Sequence, residues 1–155
     1  VDEIAHLPEI KNGKPIQKAD VIMAKEKNLV VVTTISLVTK REKSPNYEAL
    51  LKNVRSNLQL LREVGVTLAI GSDMYNDNSV NEFELVHSLN LFSNLELLKM
   101  WTENGTKTTF PYRKVGKLEE RYEASFLVLA ENPLEDLTEI YKKIVLKVKQ
   151  GVILK

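Results

Sequence analysis

The feature that most constrains the fold is the run Leu29-Val30-Val31-Val32-Thr33, which is apolar until its last residue and rich in β-branched side chains. Such residues favour strands, and an apolar run without alternation is typical of a strand buried on both faces, as in a parallel sheet. Val66 to Ile70 is a second short run, and Val1 to Leu7 reads as the end of another strand. Neighbouring parallel strands need long crossovers, usually helical, so the chain must place helices between these runs.

Helical patterns do stand between the runs. Lys18 to Lys27 is a short candidate, and a long helix is predicted from Ser44, which can cap it, through Pro45 in its first turn to a C-cap at Gly65. The apolar stripe of the long helix consists of Tyr47, Leu50, Leu51, Val54, Leu58 and Leu61. The alternation of strand and helix predicts βα units and an α/β fold.

The pattern changes in the second half of the chain. We predict a helix over 81–91 and a second one that a capping box, Ser93 and Glu96, opens and Asn104-Gly105 closes. Short strands follow over 122–129, 144–149 and 152–154, and Gln150-Gly151 is a hairpin signal. Residues 37–44 read as a polar loop. This order predicts a small β appendage after the βα units.

Composition narrows the function classes. The chain of 155 residues has a formal net charge of +1, which indicates neither nucleic acid nor a membrane surface as a partner. It has no cysteine, which excludes disulfides, thiolate zinc sites and cysteine nucleophiles. No apolar stretch approaches the about eighteen residues of a membrane helix, and no signal peptide is visible, so we expect a cytoplasmic location.

Two residues stand out as candidates for chemistry. His6 ends the first strand and Asp73 follows the third, after Gly71-Ser72. In parallel α/β folds ligands bind at the carboxyl ends of the strands, and imidazole and carboxylate both bind zinc. Position alone favours the alternative, a hydrogen-bonded structural histidine and an aspartate in a turn.

Three further residues are predicted to line a substrate pocket at the same edge. Thr33 and Thr34 end the second strand, and Asp77 lies in the loop after the third. For the two threonines, β propensity alone is the competing explanation.

Three segments together resemble the amidohydrolase superfamily, and in particular its imidazolonepropionase-like and related metal-dependent hydrolases. They are Val-Asp-Glu-Ile-Ala-His-Leu-Pro (1–8), Val-Thr-Leu-Ala-Ile-Gly-Ser-Asp (66–73) and the stretch 110–136, which begins Phe-Pro-Tyr-Arg-Lys-Val-Gly-Lys and is the most specific. The segments occur in the order found in that superfamily, and the resemblance covers the whole chain.

The resemblance implies a TIM-like (β/α)₈ barrel with a small β-sandwich built from both chain ends. Strands six to eight would be residues 1–6, 29–34 and 66–72, which gives a partial barrel over 1–117 and a share of the sandwich over 118–155. His6 then matches a metal-binding histidine, and Asp73 an aspartate that binds metal and shuttles a proton. The implied activity is hydrolysis of a small-molecule amide or cyclic amide by water that a divalent metal, expected to be zinc, activates.

The chain also departs from the family pattern. It lacks the His-x-His pair of the first barrel strand and the ligands of the fourth and fifth, and a whole barrel takes about 250 residues. We therefore expect a fragment or subunit that is inactive alone and needs either a missing N-terminal part or a homo-oligomer partner. The alternative is a non-catalytic α/β module that acts by association. In the sandwich segment, Arg121 and Ser125 stand where Gly and Asp are usual.

Overall fold

The computed structural model describes residues 2–7, 14–41, 45–73, 75 and 78–154. The chain divides into two compact units, residues 1–91 and 92–155. The domain boundary expected between residues 117 and 118 stays a prediction.

The first unit has a mixed α/β architecture around a parallel sheet. Its elements are β1 (Glu3–Ala5), α1 (Lys18–Glu26), β2 (Val30–Val32), a 3-10 helix (Ile35–Arg41), α2 (Tyr47–Val64), β3 (Thr67–Ala69) and α3 (Val80–Ser88). The strand β2 is central and pairs in parallel with both neighbours, so that Val31 stands opposite Ile4 on one side and Leu68 on the other. The predicted βα units and parallel sheet are confirmed for these strands.

The long helix α2 forms because its apolar residues fall on one stripe. Its buried residues include Leu50, Val54, Leu58 and Leu61. It ends at Gly65, whose φ of 79° is the left-handed conformation of a C-cap glycine, as predicted. Its start differs from the prediction: Asn46 is the N-cap and Pro45 precedes the helix, while Ser44 lies outside the described residues.

The loop predicted for residues 37–44 is wrong over 37–41, which belong to the 3-10 helix. The local sequence, Ile-Ser-Leu-Val-Thr-Lys-Arg, contains three apolar residues and carries no capping signal of its own. The first turn of this 3-10 helix is instead capped by the side chain of Glu82, which accepts hydrogen bonds from the N–H groups of Ile35 and Ser36. Because the cap comes from more than forty residues away, local sequence does not reveal it.

The second unit begins with three helical segments and ends in an antiparallel sheet. Its elements are α4 (Asn94–Lys99), a π-helix (Met100–Asn104), α5 (Gly105–Thr109), β4 (Phe126–Leu129), a 3-10 helix (Ile140–Lys143), β5 (Ile144–Lys149) and β6 (Val152–Leu154). The predicted capping box is confirmed: the Ser93 hydroxyl accepts from the Glu96 N–H, and the Glu96 carboxylate accepts from the Ser93 N–H at 2.7 Å.

The helix predicted to close at Asn104-Gly105 continues through both residues. Gly105 has a right-handed φ of −60° and begins α5 instead of terminating a helix. The hydroxyl of Thr106 donates to the carbonyl of Glu103 at 2.8 Å and lies 3.1 Å from the carbonyl of Val115. These contacts stabilise the helical turn at Asn104-Gly105, a residue pair that by its own preference would end a helix.

The terminal hairpin follows from its two turn residues. Gln150 and Gly151 have φ of 53° and 78°, and two positive φ values are what a type I′ turn between twisted strands requires. In the register of the sheet, Phe126 stands opposite Val148 and Val148 opposite Ile153, so an apolar row crosses all three strands on one face.

Within the described ranges, none of the helices combines the length and apolarity that a membrane crossing needs.

The two departures from the family pattern lie close to the start of β4. Arg121 has a φ of 68°, a left-handed conformation at the position where the family usually has glycine. The hydroxyl of Ser125 donates to Glu123 at 2.6 Å and accepts from the Gln150 N–H at 3.0 Å. Arg121 therefore carries a strained turn, and Ser125 keeps a polar contact with the hairpin.

We predict that Arg121→Gly leaves stability unchanged or raises it by up to about 1 kcal/mol. The left-handed conformation costs a non-glycine residue about 1–2 kcal/mol, and the extra freedom of glycine in the unfolded chain offsets part of that gain. The measurement is the urea unfolding midpoint. Lys147→Gly on the exposed side of β5 is the control and should lose about 0.5–1 kcal/mol. Equal losses in both variants would contradict the prediction.

A group of opposite charges stabilises the segment between β4 and β5. The ammonium of Lys143 lies 2.5 Å from an Asp136 carboxylate oxygen and 2.7 Å from Glu131. The hydrogen bond from Lys143, with a further one from the Thr138 N–H, holds the pKa of Asp136 well below its ordinary value of 3.8. The folded state therefore favours ionised Asp136, and that stabilisation is present above pH 3.8 and lost as the pH falls below it.

We predict that Asp136→Asn destabilises the protein at neutral pH. Its deficit relative to the parent should narrow once the pH drops below 3.8, because Asp136 of the parent then takes up a proton in the unfolded chain while it is still ionised in the folded protein, and the parent loses the stabilisation that this ionisation provides. Urea unfolding across a pH series measures this. Glu120→Gln is the control, because the Glu120 side chain is 90% exposed and lies 4.0 Å from its arginine neighbour. A deficit that stays constant across the series would refute the assigned role of Asp136.

Candidate functional site

The carboxyl ends of the three parallel strands meet at one edge of the sheet. The Thr33 N–H donates to the carbonyl of Ala69 at 3.0 Å, and the Thr34 N–H donates to the carbonyl of Gly71 at 3.1 Å. The Leu7 N–H donates to the carbonyl of Thr33 at 3.2 Å. These bonds extend the pairing beyond the strands, so the residues that follow β1, β2 and β3 share this edge.

His6 and Thr34 are in direct contact there. Nδ1 of His6 lies 3.0 Å from Oγ1 of Thr34. Both residues have positive φ, 74° for His6 and 45° for Thr34. For a β-branched residue this conformation is a true outlier. Such strain persists only where surrounding contacts enforce it, and it is concentrated at functional sites.

Asp73 lies on the other side of β2. It follows β3 by four residues and its side chain is exposed. Because β2 separates β1 from β3, and neighbouring strands are about 4.8 Å apart, the backbones at the two outer strand ends are about 10 Å apart. His6 comes directly after β1 and Thr34 two residues after β2, whereas Asp73 is four residues beyond β3. That His6 and Asp73 converge on one site stays a prediction.

The other predicted pocket residues have different surroundings. Thr33 is 0% exposed, and its hydroxyl has no hydrogen-bond partner among the residues that the structure describes. Thr34 is 6% exposed and uses its hydroxyl on His6. Asp77 lies outside the described residues. The roles assigned to these residues from the sequence stay predictions.

Glu82 is part of this edge and was missed by the sequence reasoning. It stands in the first turn of α3, is 0% exposed, and accepts hydrogen bonds from the Ile35 N–H at 2.8 Å and the Ser36 N–H at 2.6 Å. A glutamate near a helix start is common on exposed helices, so its sequence position alone does not distinguish it. Only the fold shows that Glu82 is buried and that its hydrogen-bond partners lie more than forty residues away in sequence.

Gly71 sets how closely the end of β3 approaches β2. A Cβ at this position would lie 2.5 Å from Cγ1 of Val32, well inside van der Waals contact. Val32 is β-branched, so its side chain has little freedom to move away. The glycine thus allows the close approach in which the Gly71 carbonyl accepts from the Thr34 N–H.

We predict that Gly71→Ala destabilises the protein by about 1–3 kcal/mol, the usual range for overpacking. The reason is the clash with Val32, so adding Val32→Ala to the variant should recover part of the loss. A double-mutant cycle by urea unfolding, with Val32→Ala alone as control, measures this coupling. Additive effects would mean that the Val32 contact is not what excludes a side chain at position 71.

The candidate ligands for a metal are of the right kind but few in number. His6 offers an imidazole nitrogen and Asp73 a carboxylate, and both are ordinary zinc ligands. A catalytic zinc takes three protein ligands. Among the described residues there is no group of three or more His, Cys, Asp or Glu side chains placed to hold a metal ion.

A protein-family profile matches nearly the whole chain. The profile described as "Amidohydrolase family" matches residues 4–154. Among curated proteins, ochratoxinase of Aspergillus niger is 31% identical over 128 residues, which cover 74% of this chain and 26% of the relative. The chain thus spans about a quarter of the length of that relative.

Solved structures match over nearly the whole chain. The crystal structure of A. niger ochratoxinase superposes with a TM-score of 0.84 at 24% identity, covering 99% of this chain and 37% of that one. A prolidase complexed with N-methylphosphonate-L-proline superposes with a TM-score of 0.76 at 21% identity, covering 100% of this chain and 40% of that one. At such identities the superpositions speak for the fold alone.

Proposed function

Because the chain belongs to the amidohydrolase family, we propose that it supplies part of the active site of a metal-dependent hydrolase that cleaves an amide or cyclic amide C–N bond with water. The observation that carries the proposal is the shared edge at the carboxyl ends of the adjacent strands β1, β2 and β3, after which His6, Thr34 and Asp73 follow in turn. In parallel α/β folds this edge is where ligands bind.

We propose that the three strands are strands six to eight of a TIM-like (β/α)₈ barrel. The parallel order β1-β2-β3 supports this, because each strand is joined to the next by a crossover that contains a helix. On β1, Glu3 and Ala5 are exposed. Such exposure is expected of a strand that would be covered by the rest of a barrel.

We also propose that residues 118–155 are a share of a β-sandwich. The support is the apolar row Phe126, Val148 and Ile153 on one face of the antiparallel sheet. Ile153 is 63% exposed, and sandwich sheets bury such a face against a second sheet. The partial barrel would then extend over 1–117.

The metal is a separate part of the proposal. His6 and Asp73 would hold it, and at least one further ligand must come from outside the described residues to reach the usual three. Zinc is the expected ion, because imidazole and carboxylate are among its common ligands. When bound, a divalent metal polarises a carbonyl and lowers the pKa of water to about 7.

The chain's own residues have defined tasks in this reaction. Asp73, which is exposed at the edge, takes the proton of the attacking water and delivers it to the leaving nitrogen. His6 binds the metal or contacts the substrate, with its Nδ1 directed to Thr34 and its Nε2 available. Thr33, Thr34 and Asp77 are proposed to shape the pocket.

The substrate class is proposed from the relatives and stays broad. One relative is named ochratoxinase and another is a prolidase complexed with N-methylphosphonate-L-proline. We propose a small-molecule amide, with acylated amino acids, dipeptides and cyclic amides as the candidates. The missing part of the site would come from further N-terminal sequence or from a second copy of the chain, and the 155 residues alone would be inactive.

We predict that Asp73→Asn in the complete protein lowers kcat at least about 100-fold, since a positioned general acid–base group contributes that much or more. The unfolding midpoint should not change, because Asp73 is exposed. The measurement is hydrolysis of a panel of N-acyl amino acids, Xaa-Pro dipeptides and cyclic amides with zinc present.

The control is Asp20→Asn, which removes an equally exposed carboxylate from α1. It should retain full activity. If Asp73→Asn is as active as the control, Asp73 is not the proton carrier. If the unchanged protein hydrolyses nothing in the panel, the alternative function, a non-catalytic module, is favoured.

A further inference from the structure

Glu82 makes an unusual pair of contacts for a buried carboxylate. It is fully enclosed, and its two oxygens accept from backbone groups that are adjacent in the chain: Oε1 from the Ile35 N–H and Oε2 from the Ser36 N–H. A carboxylate removed from water is strongly penalised unless it is hydrogen-bonded. Charge-assisted bonds of 2.8 Å and 2.6 Å provide that compensation.

The two contacts join parts of the first unit that are far apart in sequence. Glu82 belongs to α3, which follows β3, whereas Ile35 and Ser36 open the 3-10 helix that follows β2. The carboxylate therefore fixes the direction in which the chain leaves β2. The residue it fixes most directly is Thr34, whose carbonyl carbon is bonded to the nitrogen of Ile35.

Thr34 needs such restraint because its φ of 45° is unfavourable for a β-branched residue. Three described contacts hold it. Its N–H donates to the Gly71 carbonyl, its hydroxyl meets His6, and the next two N–H groups along the chain are bound by Glu82. Of these contacts, only that of Glu82 comes from a helix outside the sheet.

From these contacts we propose that Glu82 is a positioning residue for His6. By holding Thr34 in its left-handed conformation, Glu82 keeps the Thr34 hydroxyl 3.0 Å from Nδ1 of His6, and Nδ1–H is the proposed donor of the hydrogen bond between them. The neutral ring is then held in one tautomer, with its lone pair on Nε2. The proposal rests on the proposed function in that His6 serves the site through Nε2.

A merely structural cap makes a different prediction from a positioning residue. If Glu82 only stabilised the 3-10 helix, its replacement would lower stability and leave the imidazole of His6 unaffected. If Glu82 acts through Thr34, its replacement must also change the tautomer of His6. The ring nitrogens report this difference without any measurement of activity.

The experiment is ¹⁵N spectroscopy of the complete protein labelled at histidine, at about pH 8.5, where an imidazole is ordinarily neutral. His6→Gln assigns the signals. The unchanged protein should show His6 mainly with the proton on Nδ1. Glu82→Gln keeps the shape of the side chain but turns one acceptor into a donor, and should shift the tautomer ratio about 2- to 10-fold, the factor that one neutral hydrogen bond is worth.

Matched variants locate the effect. Thr34→Val removes the hydroxyl and should shift the tautomer ratio of His6 as Glu82→Gln does. Thr34→Ser keeps the hydroxyl and should retain most of the tautomer ratio of the unchanged protein. Glu84→Gln changes an exposed glutamate on the same helix and should have no effect. In the Thr34→Val background, Glu82→Gln should cause no further change.

Several outcomes would overturn the proposal: a proton on Nε2 in the unchanged protein, an unaltered ratio in folded Glu82→Gln, or the same shift in Glu84→Gln. Should Glu82→Gln not fold, reciprocity supplies a second test, because coupling acts equally in both directions. Thr34→Val must then speed hydrogen exchange of the Ile35 and Ser36 amides at least about 2-fold. Unchanged exchange there would refute the coupling.

The result is distinguishable from failure of the proposed function. A coupled tautomer shift in a protein whose Asp73→Asn variant loses no activity would uphold the positioning of His6 and refute the hydrolytic role. Loss of activity in Asp73→Asn with no tautomer shift in Glu82→Gln would uphold the hydrolytic role and refute the positioning of His6.

Discussion

The parallel pairing of β2 on both of its edges is the constraint on which the first unit depends. A central strand can bond on both sides only if its neighbours run alongside it in register, and here Val31 is matched with Ile4 and Leu68. That register brings the three carboxyl ends to one edge. The crossovers must therefore run outside the sheet, where α1 buries Val21 and Ala24 and α2 buries most of its apolar stripe.

The sequence was sufficient for those parts of the fold whose signal is local and periodic. The run 29–33 gave β2, the stripe of α2 gave the longest helix with its end at Gly65, and Gln150-Gly151 gave the hairpin of the second unit. In each case the preference of the residues and the demands of the fold coincide. Turn chemistry and hydrophobic spacing therefore carried the prediction without knowledge of distant contacts.

The failures share a cause, which is a hydrogen bond to a residue outside the segment itself. The 3-10 helix at Ile35–Arg41 has no local signal, because its cap is Glu82. Gly105 lies inside a helical stretch although an Asn-Gly pair usually ends one, and the neighbouring Thr106 is tied to Val115. In both segments a hydrogen bond to a residue outside the segment, 47 positions away for Ile35 and nine for Thr106, outweighs the local preference.

The candidate site divides in the same way. Parallel topology predicts His6 and Asp73 near one edge, because the carboxyl ends of parallel strands lie at the same edge of a sheet, and their joint role stays a prediction. It was not enough to foresee that Thr34 takes up a left-handed conformation against His6, or that Thr33, its neighbour, is enclosed with its hydroxyl. Side-chain partnership at the edge depends on the path of the chain after β2, which Glu82 governs.

The grip of Glu82 on the start of the 3-10 helix has a consequence for how this edge can change, by evolution or by design. Loops after parallel strands are commonly treated as interchangeable modules on a fixed scaffold. Here the segment that leaves β2 and a residue of α3 are joined by two buried hydrogen bonds, although more than forty positions separate them. A graft that replaces the segment but keeps Glu82 would leave this buried carboxylate without the two backbone N–H groups that it accepts from, unless the new segment presents the same pair.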